Sequence, residues 1–87
     1  MTDLESKVPE HILPSIIAYV KQGRPVGGFL NAVLSNNLLE SFKRADDINC
    51  IHMFDIVNYL YNEAPSTCWG SPEKVEIWLK MHRESKK

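Results

Sequence analysis

A chain of 87 residues with 44% apolar and 24% charged residues has the composition of one small globular domain and not of a disordered protein. The formal net charge of -1 excludes, for the chain as a whole, a strongly basic nucleic-acid binder and a strongly acidic mimic of DNA. No apolar run approaches the ~18 residues that span a bilayer, and residues 1–9 are unlike a signal peptide. We therefore expect a single cytoplasmic domain over 1–87 without a membrane partner. Residues 1–7 and 83–87 are expected to be frayed, because neither segment shows apolar periodicity.

A first helix is predicted near 10–22, where apolar residues recur at helical spacing. It should end at Gly23, because glycine readily adopts the left-handed conformation that terminates helices. Pro14 is tolerated in a first turn but breaks a helix interior. The helix therefore begins near Leu13, or a short turn from Pro9 is kinked at the proline.

A second helix is predicted near 26–45, directly after a turn that contains Pro25 and two glycines. Apolar residues recur there every fourth position, at Leu30, Leu34, Leu38 and Phe42. The polar segment 35–37 has low helix propensity, but the apolar series continues through it. The pattern favours one amphipathic helix with a weak middle, and this helix is the expected centre of the core.

A third helix is predicted near 47–63, with Asp46 or Asp47 as its N-cap and an end before Pro65. Its expected inner stripe consists of Met53, Phe54, Val57, Leu60 and Tyr61. A fourth helix is predicted near 72–82.

The start of the fourth helix has the strongest local signal in the chain. Ser71 can cap the helix, and Pro72 suits the first helical position. No segment alternates with the period of a strand, so the fold is predicted to be all-α, a compact four-helix domain. Because a chain this short buries only a modest core, we also expect a homo-oligomer.

A candidate anion site lies at the start of the second helix, at Lys21, Arg24, Gly27 and Gly28. Free backbone N–H groups and the positive end of a helix dipole attract anions, and glycines allow a phosphate to approach the backbone. Alternatively, the glycines permit close packing against another helix and the two basic residues are ordinary surface charges. The segment matches no known phosphate-binding motif.

A second group of candidates could contact a protein partner: Arg44, Asp47, Tyr59 and Trp69. Aromatic and arginine side chains are typical anchors of protein interfaces, although aromatic residues also stack on bases. The segment around Arg44 and Asp47 could instead only cap two helices. Trp69 lies in a loop and could staple that loop to the bundle.

We expect no metal and no cofactor. Cys50 and His52 would point about 200° apart on a helix, and no other ligand pair has standard spacing. Cys50 and Cys68 are expected to be thiols that pack as small buried apolar residues. A deep pocket is difficult to build in a four-helix domain of this size, so we expect a protein that is not an enzyme.

Several segments of the chain carry a resemblance when they are taken together: 27–36, 44–46 with Asn49, 61–65 and 68–75. Over nearly its whole length the chain resembles a set of short helical accessory proteins of tailed bacteriophages and prophages. No activity is assigned to that set, but small phage proteins of this kind commonly bind and redirect a component of the host. The resemblance therefore implies a context rather than a mechanism.

The function expected from the sequence is that of a non-enzymatic phage accessory protein. It would bind and modulate a host protein or protein complex, with counter-defence as one such process. An alternative is an oligomeric sponge that sequesters a phosphate-bearing nucleotide signal at residues Lys21 to Gly28. A DNA-binding regulator is a further alternative, which the net charge and the lack of a continuous basic helix face disfavour.

Overall fold

In the computed structural model, which describes residues 3–85, the chain is all-α and contains no strand within this range. Seven helices connect in the order α1 Asp3–Lys7, α2 Leu13–Gln22, α3 Gly28–Leu34, α4 Leu38–Arg44, α5 Asp47–Ile51, α6 Met53–Glu63 and α7 Pro72–Ser85. The all-α prediction is therefore confirmed, but four helices is not the number observed. No helix of the described range is both long and apolar enough to cross a membrane.

Helix α2 begins at Leu13, as one of the two predicted alternatives requires, with Pro14 in its first turn. The residues from Pro9 to Ile12 form a separate turn closed by hydrogen bonds to the Pro9 carbonyl. Gly23 ends the helix in a left-handed conformation with φ 65°, and its N–H donates to the carbonyls of the last helical turn. The predicted start at residue 10 therefore belongs to the turn.

The predicted helix over 26–45 is wrong, because the chain forms two helices with a break at 35–37. Asn36 adopts a left-handed conformation with φ 61°, which asparagine tolerates better than most residues. The side chain of Asn37 then caps α4 by accepting a hydrogen bond from the N–H of Glu40 at 3.2 Å. The local polar residues therefore override the apolar series, and α4 starts in a new direction.

The predicted helix over 47–63 is also divided, into α5 and α6, at His52. Asp46 is the N-cap of α5, and its Oδ1 accepts a hydrogen bond from the N–H of Asn49 at 2.7 Å. At the break, His52 has φ -97° and ψ 15°, and its Nδ1 lies 3.1 Å from Oδ2 of Asp55 in the first turn of α6. A local side-chain contact thus accompanies the change from one helix to the next.

The ends of the described chain contain more helix than predicted. Residues 3–7 form α1, which packs against α6, and Val8 directly after it is only 3% exposed. Burial of that valine gives the segment a tertiary anchor that apolar periodicity does not reveal. Helix α7 begins as predicted, with Ser71 Oγ accepting from the N–H of Lys74 at 3.2 Å, but continues to Ser85. The predicted fraying of 1–2 and 86–87 lies outside the described residues.

Tyr19 connects three parts of the core. Its side chain is fully buried, and its hydroxyl donates a hydrogen bond to the Cys68 carbonyl at 2.6 Å. The indole Nε1 of Trp78 donates to the Tyr19 carbonyl at 2.9 Å. Helix α2 is thereby joined both to the loop after α6 and to α7. The other fully buried large side chains are Ile16, Leu34, Ile56, Leu60 and Cys68.

Candidate functional site

Helices α5 and α6 carry a stripe of large apolar side chains that point into solvent. Ile48, Ile51 and Phe54 are 54%, 78% and 76% exposed, and they follow one another at three-residue spacing. Tyr61, two helical turns after Phe54, is 75% exposed. Because residues at this spacing share one side of a helix, Ile48 and Ile51 lie together on α5, and Phe54 and Tyr61 lie together on α6. The sequence predicts Phe54, Val57 and Tyr61 on the inner stripe of the third helix, and that prediction is wrong, because all three side chains are exposed.

Helix α4 presents a second set of exposed apolar side chains, Leu38, Leu39 and Phe42. Leu38 and Val57 of α6 line a common cavity of about 120 Å³, so the exposed sides of α4 and α6 meet there. We call the combined surface the apolar face. Its members are Leu38, Leu39, Phe42, Ile48, Ile51, Phe54, Val57 and Tyr61.

The apolar face is large for a domain of this size. With ~200 Å² for a fully exposed residue of these types, the summed exposed area of the eight residues is roughly 1,000 Å². The largest apolar patch of a typical monomer covers about 300–600 Å². One side of a standard protein–protein interface covers about 800 Å². The summed exposed area of the apolar face is therefore comparable with one side of a protein–protein interface.

Trp69 extends the apolar face toward a wider concavity. Its half-buried side chain lines the cavity between α4 and α6 and also a neighbouring cavity of about 560 Å³. Tyr61 lines the second cavity, and Lys74 lies at the same site with its Nζ donating to the Ser66 carbonyl at 3.2 Å. An aromatic pair beside a lysine can anchor a partner side chain by apolar contact and by a polar contact at the rim.

The structure does not gather the four residues predicted to bind a partner. Trp69 borders the apolar face, and Asp47 is exposed on α5 one helical turn before Ile51. Arg44 lies elsewhere, in a polar cavity of about 410 Å³, where its Nε bonds Oε2 of Glu40 at 3.0 Å. Tyr59 is only 9% exposed and belongs to the core. Burial, with a smaller contribution from nearby carboxylates, raises the pKa of Tyr59.

The predicted anion-binding residues line three different cavities. Lys21 shares a cavity with Glu63, Arg24 shares another with Arg83, and Gly28 lies beside Arg44 in the polar cavity. Gly27 is the N-cap of α3, with no atom near the position of an added side chain.

Gly28 lies beside the side chain of Arg44. A Cβ at Gly28 would lie 3.0 Å from Nη1 at the flexible end of that side chain, so the missing side chain leaves room for the guanidinium. The guanidinium of Arg44 also forms an ion pair with Glu40 of the same helix.

The two cysteines differ in environment. Cys68 is fully buried, as predicted, and burial raises the pKa of its thiol. Such a thiol is protonated at neutral pH and is a poor nucleophile. Cys50 is exposed on α5, contrary to the prediction, one helical turn before Phe54. Within residues 3–85 no three His, Cys, Asp or Glu side chains form a cluster that could hold a metal ion.

Sequence reasoning overlooked Leu39, Ile48 and Ile51. A signal for them exists: helices 38–44 and 47–51 carry more large apolar residues than one inner stripe accounts for. A helix with apolar residues on two sides buries both, or leaves one side for a partner.

Comparison with protein-family models, with curated proteins and with solved structures finds no match to this chain. The site is therefore interpreted from its own geometry and chemistry.

Proposed function

We propose that this protein is a non-enzymatic binding module that captures an amphipathic helix of a host protein on its apolar face. In this proposal it is a small accessory protein of the phage type, which acts in the host cytoplasm and modulates the protein that it binds. The apolar face, with a summed exposed area of roughly 1,000 Å², is the observation that carries the proposal. The phage context is taken from the resemblance of the sequence segments alone.

The shape of the face favours a helix as the bound element. The parts of α4 and α6 that flank the cavity of about 120 Å³ leave room for one apolar side chain from a partner. A helix laid along such a groove inserts apolar residues at positions i, i+3 or i+4, and i+7. Phe54 and Trp69 are the anchors in this arrangement, since aromatic residues contribute most of the binding free energy in many interfaces.

Two features support a binding role over a catalytic one. The buried thiol of Cys68 is held in its protonated form, which disfavours nucleophilic chemistry. The surface beside the exposed thiol of Cys50 is apolar, and the nearest imidazole in sequence, His52, contacts Asp55. Binding through apolar contacts requires neither a reactive thiol nor a free imidazole.

Site-specific photocrosslinking tests the proposal directly. A photoreactive amino acid replaces Phe54, the protein is expressed in a bacterial host, and crosslinked chains are identified by mass spectrometry. The identified partner is then purified and its affinity for the wild-type protein is measured in isolation. We expect a host protein crosslinked through an amphipathic helix, and no such product when the photoreactive residue replaces the exposed Glu76 on α7.

A matched pair of variants separates the face from general surface effects. Phe54→Glu should weaken binding of the purified partner by about 30-fold, as expected for loss of an aromatic anchor. Ile77→Glu makes the same kind of change at a residue that is 61% exposed on α7, and it should leave the affinity unchanged. Equal losses in both variants would contradict the proposal. Crosslinks only to a second copy of this chain would also overturn it, and would assign the face to a homodimer.

A further inference from the structure

A separate cavity of about 340 Å³ lies between the end of α2 and the last turns of α7. It is lined by Gln22, Gly23, Arg24, Pro25, Leu79 and Arg83, none of which belongs to the apolar face. The cavity is therefore independent of the surface to which the proposed function is assigned.

The walls of this cavity are held in place by close packing. Gly23 is left-handed at φ 65°, and a Cβ at this position would overlap the side chain of His82. The turn after α2 is therefore pressed directly against α7. Trp78, one helical turn before His82, donates its indole N–H to the Tyr19 carbonyl at 2.9 Å and joins the two helices a second time. A cavity framed in this way is preformed, which lowers the entropic cost of binding a ligand.

The described residues give this cavity a positive charge. Arg24 and Arg83 both line it, and no carboxylate of the described residues does. Both guanidinium groups lack a hydrogen-bond or ion-pair partner within the part of the chain that the structure describes. Two like charges that face one partly apolar cavity repel each other, and an anion between them relieves that repulsion.

The other cavities with basic side chains differ in this respect. Arg44 bonds Glu40 within its own cavity, and Lys21 shares its cavity with Glu63. The ammonium of Lys74 donates to a backbone carbonyl. The cavities of Arg44 and Lys21 thus each contain a carboxylate, and the Lys74 ammonium has a hydrogen-bond acceptor, whereas Arg24 and Arg83 have neither among the described residues.

We infer that the cavity between α2 and α7 binds a small organic oxyanion, a phosphate or carboxylate carried on a flat apolar body. Guanidinium groups bind both kinds of oxyanion with paired, charge-assisted hydrogen bonds. Pro25 and Leu79 supply an apolar wall for the body of the ligand. A volume of about 340 Å³ is at the lower end of small-molecule sites, so the ligand has about the size of a mononucleotide or smaller.

Of the four residues of the anion site predicted from the sequence, only Arg24 lines this cavity. Arg24 contributes to both, but its partner is Arg83, which lies 59 residues further along the chain, and not the glycines at the start of α3. A purely structural role is the competing explanation, because both arginines lie near helix C-termini, where cations are favoured.

Nuclear magnetic resonance titration at low salt separates these explanations. The probes are adenosine monophosphate, benzoate, inorganic phosphate and uncharged adenosine, and the reporters are the indole N–H of Trp78 and the backbone N–H of Leu79. We expect saturable shifts of both reporters with adenosine monophosphate or benzoate, and none with adenosine. Arg24→Gln and Arg83→Gln should each weaken the binding at least tenfold. Lys21→Gln, a neighbouring exposed cation outside this cavity, is the matched control and should have no effect.

The outcome with each probe has a defined meaning. Shifts with the nucleotide alone assign the site to phosphates, and shifts with benzoate alone assign it to carboxylates. Inorganic phosphate that binds as tightly as the nucleotide would overturn the inferred apolar body. Absence of shifts with all probes, or shifts that persist in the Arg24→Gln/Arg83→Gln double variant, would overturn the site and leave the helix-terminal role. None of these results depends on the Phe54 experiment, so the two proposals can fail separately.

Discussion

Replacing Tyr19 by phenylalanine removes one oxygen atom from the centre of the fold. The Tyr19 hydroxyl donates to the Cys68 carbonyl at 2.6 Å across 49 residues of sequence, and its side chain is fully buried. The variant keeps the ring, its volume and its apolar contacts. Only the hydrogen bond is lost, and the Cys68 carbonyl then remains buried without that partner.

The expected cost follows from that unsatisfied carbonyl. Leaving a buried acceptor without its donor costs about 1–3 kcal/mol, more than the ~1 kcal/mol net value of an ordinary hydrogen bond. For a domain of 87 residues, a loss of about 2 kcal/mol lowers the melting temperature by about 10 °C. Small domains have little stability to spare, so the change should be large and easily measured.

Urea denaturation followed by circular dichroism at 222 nm measures this loss. We expect a lower midpoint with an unchanged m-value, which would indicate that the amount of surface exposed on unfolding is the same. Tyr61→Phe is the matched control, because it removes the same hydroxyl from a side chain that is 75% exposed. A Tyr19→Phe variant within ~0.5 kcal/mol of the wild type, or no less stable than Tyr61→Phe, would refute the reasoning.

Three further predictions test other parts of the fold. Burial raises the pKa of Cys68 above its ordinary 9.0 and raises that of Tyr19 above 10.0, so unfolding releases protons in alkaline solution. The stability contributed by these two side chains should therefore fall as the pH rises above about 9. In Cys68→Ala the fall should begin near pH 10 when urea midpoints are compared. Gly23→Ala should lower the free energy of unfolding by more than about 2 kcal/mol, because alanine is strained in the left-handed conformation and its Cβ would overlap His82. A smaller loss would contradict the close contact between Gly23 and His82. Asn36→Ala should cost ~1–2 kcal/mol while Asn36→Gly is nearly neutral, and equal denaturation midpoints for the two variants would show that φ 61° is not maintained.

Local signals in the sequence determined the caps and ends of helices. Gly23, Asp46 and Ser71 perform the roles that their residue types predict, because capping depends on groups within three or four residues. The all-α class follows from helical periodicity, which is also a short-range property. For the same reason, every end of the four predicted helices lies within three residues of an observed helix end, whereas the breaks at 35–37 and at His52 and the helix over 3–7 were not predicted.

The same periodicity could not show which apolar residues are buried. Leu38 and Phe42 continue the series of Leu30 and Leu34, yet the turn at Asn36 directs α4 away from the core and leaves both exposed. A four-residue repeat states that side chains share one side of a helix, but not what that side faces. For this reason the sequence pattern of the apolar face could not be distinguished from that of a buried core.

The candidate anion site shows the corresponding limit for polar residues. Arg24 is recognisable from the sequence as a basic residue after a helix, but Arg83 is brought beside it only by the packing of α7 against the turn at Gly23. The sequence by itself determined the helical class and the caps at Gly23, Asp46 and Ser71. Only the tertiary structure decided that Arg83 of α7 lies beside Arg24, because a site made of distant segments depends on packing that no local pattern encodes.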